Sequence, residues 1–184
     1  MKHLAIILIA VLIAGCATMP TTPPPLPSKK PNEIPSAALL PWETDAPESA
    51  AYAYGFLTQI LEDRYVFDFL PRKEVKAVLG RHDLAEADMN DLSEKQLKAI
   101  AGDLQADRLL LGSYHVKRAW TIFGTRPNIT CELKAFHSDK GKITETWSQA
   151  SKINVFKVGA PSNADKATQH ILNALTRDMM QNGN

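Results

Sequence analysis

Seven of the chain's twelve prolines (Pro20, Pro23, Pro24, Pro25, Pro27, Pro31 and Pro35) fall within sixteen residues. Proline fixes φ and lacks an N–H, so such a stretch can enter neither a helix interior nor a sheet ladder. Residues 16–35 are therefore predicted to be an extended spacer, with the fold starting at residue 36. At about 3.1 Å per residue the spacer reaches roughly 60 Å at full extension. A proline-recognising groove on a partner is the other use of such a segment. The averages hide this division. A 45% apolar content excludes global disorder, and a formal net charge of +1 offers no stripe for nucleic acid.

Ahead of the spacer stands Met1-Lys2-His3 and an apolar run over residues 4–14. That length suits the apolar region of a signal peptide, about 7–15 residues, and falls short of the ~20 needed to span a bilayer. The run ends in Leu12-Ile13-Ala14-Gly15-Cys16. This passage resembles the lipobox of bacterial lipoproteins. The resemblance implies a signal peptide over residues 1–15, cleavage before Cys16, and lipidation of Cys16 as the membrane anchor. The alternative is an ordinary secretory leader with a chance cysteine. A single acyl chain holds a protein only marginally, whereas several anchor it firmly. The residue after the cysteine is Ala17, not the aspartate that retains many such lipoproteins in the inner membrane. By resemblance the address is the outer membrane, with the domain facing the periplasm. Cys131 is then left without an intrachain partner, as a buried strand residue or a link to another chain.

From residue 36 to 184 the pattern is that of one α+β domain, a three-layer-like α/β arrangement with a mixed sheet of about five strands. Ala37 to Trp42 reads as a first strand. Asp45 and Glu48 suggest a capping box for a helix to about Asp63. Tyr65 to Leu70 reads as a strand and Arg72 to Leu79 as a short helix. Ser93-Glu-Lys-Gln96, with Leu92 and Leu97 as a hydrophobic staple, starts another helix. Leu109-Leu110-Leu111 suggests a central strand buried on both faces. Ile129 to Ala135 alternates, as a strand with one wet face does. Ile143 to about Val155 is a further strand, and a helix capped near Ser162 closes the chain. The order is β-α-β-α-α-β-β-β-α.

Three passages carry a further resemblance: Ala37-Ala-Leu-Leu-Pro-Trp42, Phe69-Leu-Pro-Arg-Lys-Glu-Val75 and Leu104-Gln-Ala-Asp-Arg-Leu-Leu-Leu-Gly-Ser113. With the Phe136 to Trp147 hairpin they resemble the periplasmic α/β domain of TolB's N-terminal part, CsgG-type secretion lipoproteins and LpoB-type activators of penicillin-binding proteins. Lipobox, Pro-rich spacer and this domain together look most like the LpoB arrangement. The resemblance implies a non-enzymatic accessory or assembly factor for an envelope complex, cell-wall synthesis among the candidates. The alternative is a subunit of a CsgG-like homo-oligomeric secretion or transport assembly. Here the sequence departs from the channel pattern. No long amphipathic strand pair is legible, and Lys117 to Asn128 is too short to cross a bilayer twice at about 9–11 residues per strand.

No catalytic motif, metal-ligand spacing or phosphate loop is present, so neither enzyme activity, cofactor nor metal is expected. His115 and His137 could approach across adjacent strands, but ordinary strand positions are the expectation for both. Ala119 to Pro127 reads as a loop joining two strands and carries Trp120, Ile122 and Phe123. These three either fold back over the sheet or serve as partner-contact residues, since exposed aromatics anchor interfaces. The implied partners are the membrane, an envelope protein and, as an alternative, further copies of the chain. Cys16→Ser is expected to abolish incorporation of labelled palmitate and to move the protein out of the membrane fraction. An unlabelled wild-type protein would sink the lipobox reading.

Overall fold

A computed structural model describes residues 34–121, 124–151 and 164–182. The elements are β1 (Ser36–Leu39), β2 (Glu43–Thr44), α1 (Pro47–Asp63), β3 (Asp68–Phe69), α2 (Arg72–Arg81) and a 3₁₀ turn (Met89–Asp91). They continue with α3 (Glu94–Leu104), β4 (Arg108–Thr121), β5 (Gly124–His137), β6 (Lys142–Ala150) and α4 (Ala164–Asn182). The leader, Cys16 and the spacer up to residue 33 lie outside the described residues, while Pro35 at the spacer's end already accepts from Asp68 N at 3.1 Å. Among those described, no helix is long and apolar enough to cross a membrane.

The strands form one mixed sheet in the order β3-β1-β4-β5-β6, with β2 also beside β4. β1 runs parallel to β3 and β4, while β4, β5 and β6 form an antiparallel meander. The expected element order is present, with the two-residue β2 as an addition. β1 and β2 are one interrupted line. Leu39 stands opposite Leu110 and Glu43 opposite Ser113, so four steps on one strand match three on the other. The extra residue falls around Pro41, which has no N–H to give the ladder.

Alternation along the central strands divides the core between two helical layers. Leu110, Tyr114, Ile129, Cys131 and Leu133 pack with α1 and α4 residues such as Leu57, Leu61, Ile171 and Leu175. Leu109, Leu111 and Phe136 pack with Val78, Leu79, Leu97 and Ile100 of α2 and α3. The three consecutive leucines are thus buried on both faces, as expected. β5 has the expected wet face, where Thr130 is exposed and Lys134 pairs with Glu132 at 3.1 Å.

Local signals fared unevenly. The Ser93 capping box forms: Oγ accepts from Gln96 N at 3.4 Å, and Gln96 Oε1 accepts from Ser93 N at 3.0 Å. Leu97 is buried, and Leu92 packs against the same cluster. Such a cap contributes about 1 kcal/mol. The Asp45–Glu48 box does not form. Ala46 occupies the N-cap without a side-chain bond, and Asp45 is drawn away to accept from Val116 N at 2.9 Å. The strand expected over residues 65–70 shrinks to Asp68–Phe69. Tyr65 takes a left-handed φ of 53°, and Val66 N still bonds Leu61 O, so the end of α1 claims these residues. Residues 152–155 and Ser162, expected in a strand and a cap, lie outside the described residues.

The largest correction concerns residues 117–128, expected as a loop. β4 and β5 pair continuously from Arg108 opposite His137 to Thr121 opposite Gly124. The long strand pair that the sequence did not show is therefore present. Pro127 is tolerated because Val116 and Ile129, two residues away on each strand, turn their N–H groups outward. Arg118 opposite Pro127 is the next such pair, so the missing N–H faces away from β4.

At the other end of the sheet His137 is buried, and neither ring nitrogen has a hydrogen-bond partner among the described residues. Glu145 Oε1 stands 3.3 Å from Nε2 without making that bond. Burial, then the Arg108 guanidinium, holds the imidazole below its ordinary value, against the opposing pull of Glu145. In the unfolded chain it titrates near 6.5. Below that value the unfolded state binds more protons than the folded one. The stability held above pH ~6.5 is then lost as pH falls toward the depressed folded value. His137→Leu is expected to flatten this part of the profile, read as the urea midpoint between pH 7.5 and 5. An unchanged slope would refute the assignment.

Candidate functional site

The feature that the two cores do not explain is the outer part of the β4–β5 hairpin. The pairing of β2 with β4 ends at Tyr114, and that of β6 with β5 ends at Thr130. Beyond them, among the described residues, Asp45 accepts from Val116 N, and Ser151 touches the other flank: its N donates to Ile129 O at 2.8 Å, its Oγ accepts from Ile129 N at 2.7 Å and donates to Asn128 Oδ1 at 3.1 Å. Among the described residues Lys117–Thr121 and Gly124–Asn128 therefore continue as a two-stranded ribbon, about 17 Å long at 3.3–3.4 Å per residue. Five residues per strand remain too few for the ~9–11 that a bilayer-spanning strand needs. Lys117 and Arg118 are exposed, and Pro127 and Asn128 are half-buried. None of these four belongs to either core cluster.

The structure places Trp120 on β4, opposite Thr125 of β5. Its side chain, with Ile122 and Phe123, lies outside the described residues. The sequence thus located the hairpin end but mistook its backbone.

The ribbon's base is held from two sides. On one, His115 sits 4.0 Å from Glu43 Oε1 and 3.7 Å from Asp45 Oδ2, and Asn90 Nδ2 donates to Glu43 Oε2 at 3.4 Å. These contacts bring β2, the 3₁₀ turn and β4 together where the flanking strand stops. On the other side is an aromatic buttress. Trp42 stacks on Tyr114 at a centroid distance of 6.3 Å and meets Tyr54 at 6.2 Å. Tyr114 Oη donates to Thr168 Oγ1 at 2.6 Å, since Thr168 gives its own proton to Ala164 O. Tyr54 Oη donates to Leu39 O at 2.8 Å, and the Arg72 guanidinium lies over its ring. Burial raises both phenols above their ordinary range, so they remain neutral donors.

Gly112 makes the buttress possible. A Cβ there would stand 2.5 Å from Trp42 Nε1 and 2.7 Å from Cδ1, closer than any side chain tolerates. The indole lies directly on the strand backbone, and its Nε1 is buried without a partner among the described residues.

Other sequence candidates resolve simply. Cys131 is fully buried in β5, and burial, with Glu132 beside it, pushes its thiol up to about 12. It is a core residue rather than a reactive thiol or an accessible link to another chain. His115 and His137 are not brought together. His137 stands opposite Arg108, seven residues from His115 along β4 and so about 23 Å away. Among the described residues no group of three or more His, Cys, Asp or Glu could hold a metal ion. Sequence reading missed Asp45 as the clamp on Val116 and Gly112 as the seat of Trp42.

No protein-family model matches the chain, and no curated protein is significantly similar to it. Solved structures do share its fold. Lipoprotein GNA1162 from Neisseria meningitidis is 12% identical, with 80% of this chain and 99% of that chain covered at a TM-score of 0.55. PelC from Paraburkholderia phytofirmans, a dodecamer, is 9% identical, with 80% and 88% covered at 0.52. The LpoB C-terminal domain from Salmonella enterica is 15% identical, with 65% and 84% covered at 0.48. At these identities the likeness is one of fold: this is a mixed α/β domain of the kind found in lipoprotein GNA1162.

Gly112→Val is expected to displace Trp42 and cost about 1–3 kcal/mol, the range of core overpacking, read as a lower urea midpoint. Adding Trp42→Ala should recover part of that loss relative to the summed single changes. Simple additivity would show that the two residues do not press on each other.

Proposed function

We propose that this chain is a non-enzymatic accessory or assembly factor of the bacterial envelope. It is anchored in the outer membrane through lipid on Cys16, and its domain faces the periplasm. The observation that carries the reading is the ribbon beyond the flanking strands, with cations exposed at its root and backbone edges that no described residue pairs with. A ribbon whose described root residues, Lys117, Arg118, Pro127 and Asn128, join neither core is suited to contact. The lipobox and Pro-rich spacer in the sequence, and a fold shared with lipoprotein GNA1162, support the envelope address. The sequence resemblance to the LpoB arrangement points to cell-wall synthesis as the process served.

PelC's dodecameric state prompts the second reading, a homo-oligomeric subunit of a secretion or transport assembly. Size-exclusion chromatography of the detergent-purified chain separates the two, since a large ring belongs only to the second.

Trp120→Ala with Phe123→Ala is expected to leave the urea midpoint within about 0.5 kcal/mol of wild type. It should also reduce, at least fivefold, the envelope-protein adducts recovered by crosslinking in intact cells. If adducts and self-association are both unchanged in the folded double variant, these residues are not contacts.

A further inference from the structure

Among the described residues no further strand pairs with either edge of the ribbon, and the two edges are chemically unequal. Val116 N donates outward to Asp45, and Ile129 N donates outward to Ser151 Oγ. These two residues stand opposite one another. In an antiparallel ladder every second pair turns its N–H and C=O away from the partner strand. The following outward pairs are Arg118 with Pro127 and Trp120 with Thr125. On the β5 side the first outward position is proline and has no donor, a familiar block to further pairing. On the β4 side Arg118 and Trp120 each offer an N–H and a C=O, just where the β1–β2 line stops.

Charge singles out the same segment. Residues 117–128 carry Lys117, Arg118 and Arg126 and no acid. Lys117 and Arg118 are exposed and have no ion pair among the described residues. The nearby carboxylates of Glu43 and Asp45 face His115 instead. A bilayer core is a poor match, since it cannot satisfy an open strand edge. A flexible polyanion would use the cations and leave the edge unpaired. An acidic extended peptide uses both.

We propose that the β4 edge from Lys117 to Thr121 receives an extended acidic segment of an envelope protein by strand addition. Main-chain bonds form at Arg118 and Trp120, and the partner's carboxylates stand against Lys117 and Arg118. This rests on the accessory-factor reading and names the chemistry of its partner.

The test uses the full chain in intact cells, with a photo-crosslinking residue at position 117. Matched chains carry it at Glu86 or at Lys166 of α4, both exposed. The expected result is an adduct from 117 to one envelope protein, mapped by mass spectrometry to a segment richer in acidic than basic residues. Arg118→Glu should reduce it at least tenfold, and Arg118→Lys should preserve it. Arg118→Gln and Arg118→Pro both remove the charge, but only the second removes the outward N–H. Strand addition requires Arg118→Pro to be at least fivefold weaker than Arg118→Gln, with urea midpoints confirming that both fold. Equal loss in these two overturns strand addition. So does an adduct to lipid, to a second copy of the chain, or to a segment without acidic excess. Protein adducts from 86 or 166 but none from 117 overturn the edge proposal and leave the accessory reading standing. No protein adduct from any position removes both.

Discussion

The backbone ladder between β4 and β5 is the element on which the other strands and both helical layers are hung. Its fourteen consecutive pairs give β1 and β2 a strand to run beside and β6 a strand to return along. Its alternation sends Leu110 and Tyr114 to one layer and Leu109 and Leu111 to the other. The register is fixed at the start by a small polar lock. Ser36 N and Oγ both donate to Asp107 Oδ2 at 2.9 Å, and Asp107 N donates to Ser36 Oγ at 3.0 Å. A one-residue slip would exchange the two faces of β1 and expose what each layer buries. Ala37, Ala38, Leu39 and Leu40 are all buried, so neither face tolerates that slip.

The ladder is longer than the body that uses it, and the molecule marks where the body ends. Pro41 and Trp42 interrupt the β1–β2 line, Trp42 settles on Gly112, and Asp45 takes the outward N–H of Val116 before the chain turns into α1. These are local devices with a shared effect. They terminate the parallel edge cleanly, so that the hairpin emerges from a rigid collar and not from a fraying strand. Edge strands invite unwanted pairing. On β5 the invitation is withdrawn at Pro127. On the outer strand β6, Thr144 is an extra residue between the pairs Phe136–Ile143 and Ala135–Glu145, a bulge that disturbs the edge.

Much of the body was legible because its signals are local and mutually consistent. The Leu109–Leu111 run, the alternation of β5, the Ser93 box and the apolar stripe of α4 each specify one structure from a few residues. What was not legible depends on competition between distant groups. Asp45 has the chemistry of a helix cap, but Val116 N, seventy-one residues away, takes its carboxylate. The passage from Ala119 to Pro127 looked like a loop because glycine and proline punctuate it. Whether a proline breaks a strand depends on which side of the ladder its missing donor faces, and only the register decides that. His115 and His137 lie on neighbouring strands, yet sequence separation does not reveal that they stand seven pairs apart along the ladder.

The Ser36–Asp107 lock also gives the domain a polarity. The chain enters the sheet level with the start of β4, while Thr121 lies thirteen residues further along that strand, about 43 Å away. The start of β1 and the outer end of β4 are thus opposite poles of one lever. If residues 16–35 serve as the proposed spacer, its reach of roughly 60 Å at full extension adds to the lever's own, on the order of 100 Å together. Shortening such a spacer ahead of Ile34 would change how far the lever reaches while leaving the contacts described above in place, Asp68 N to Pro35 O included.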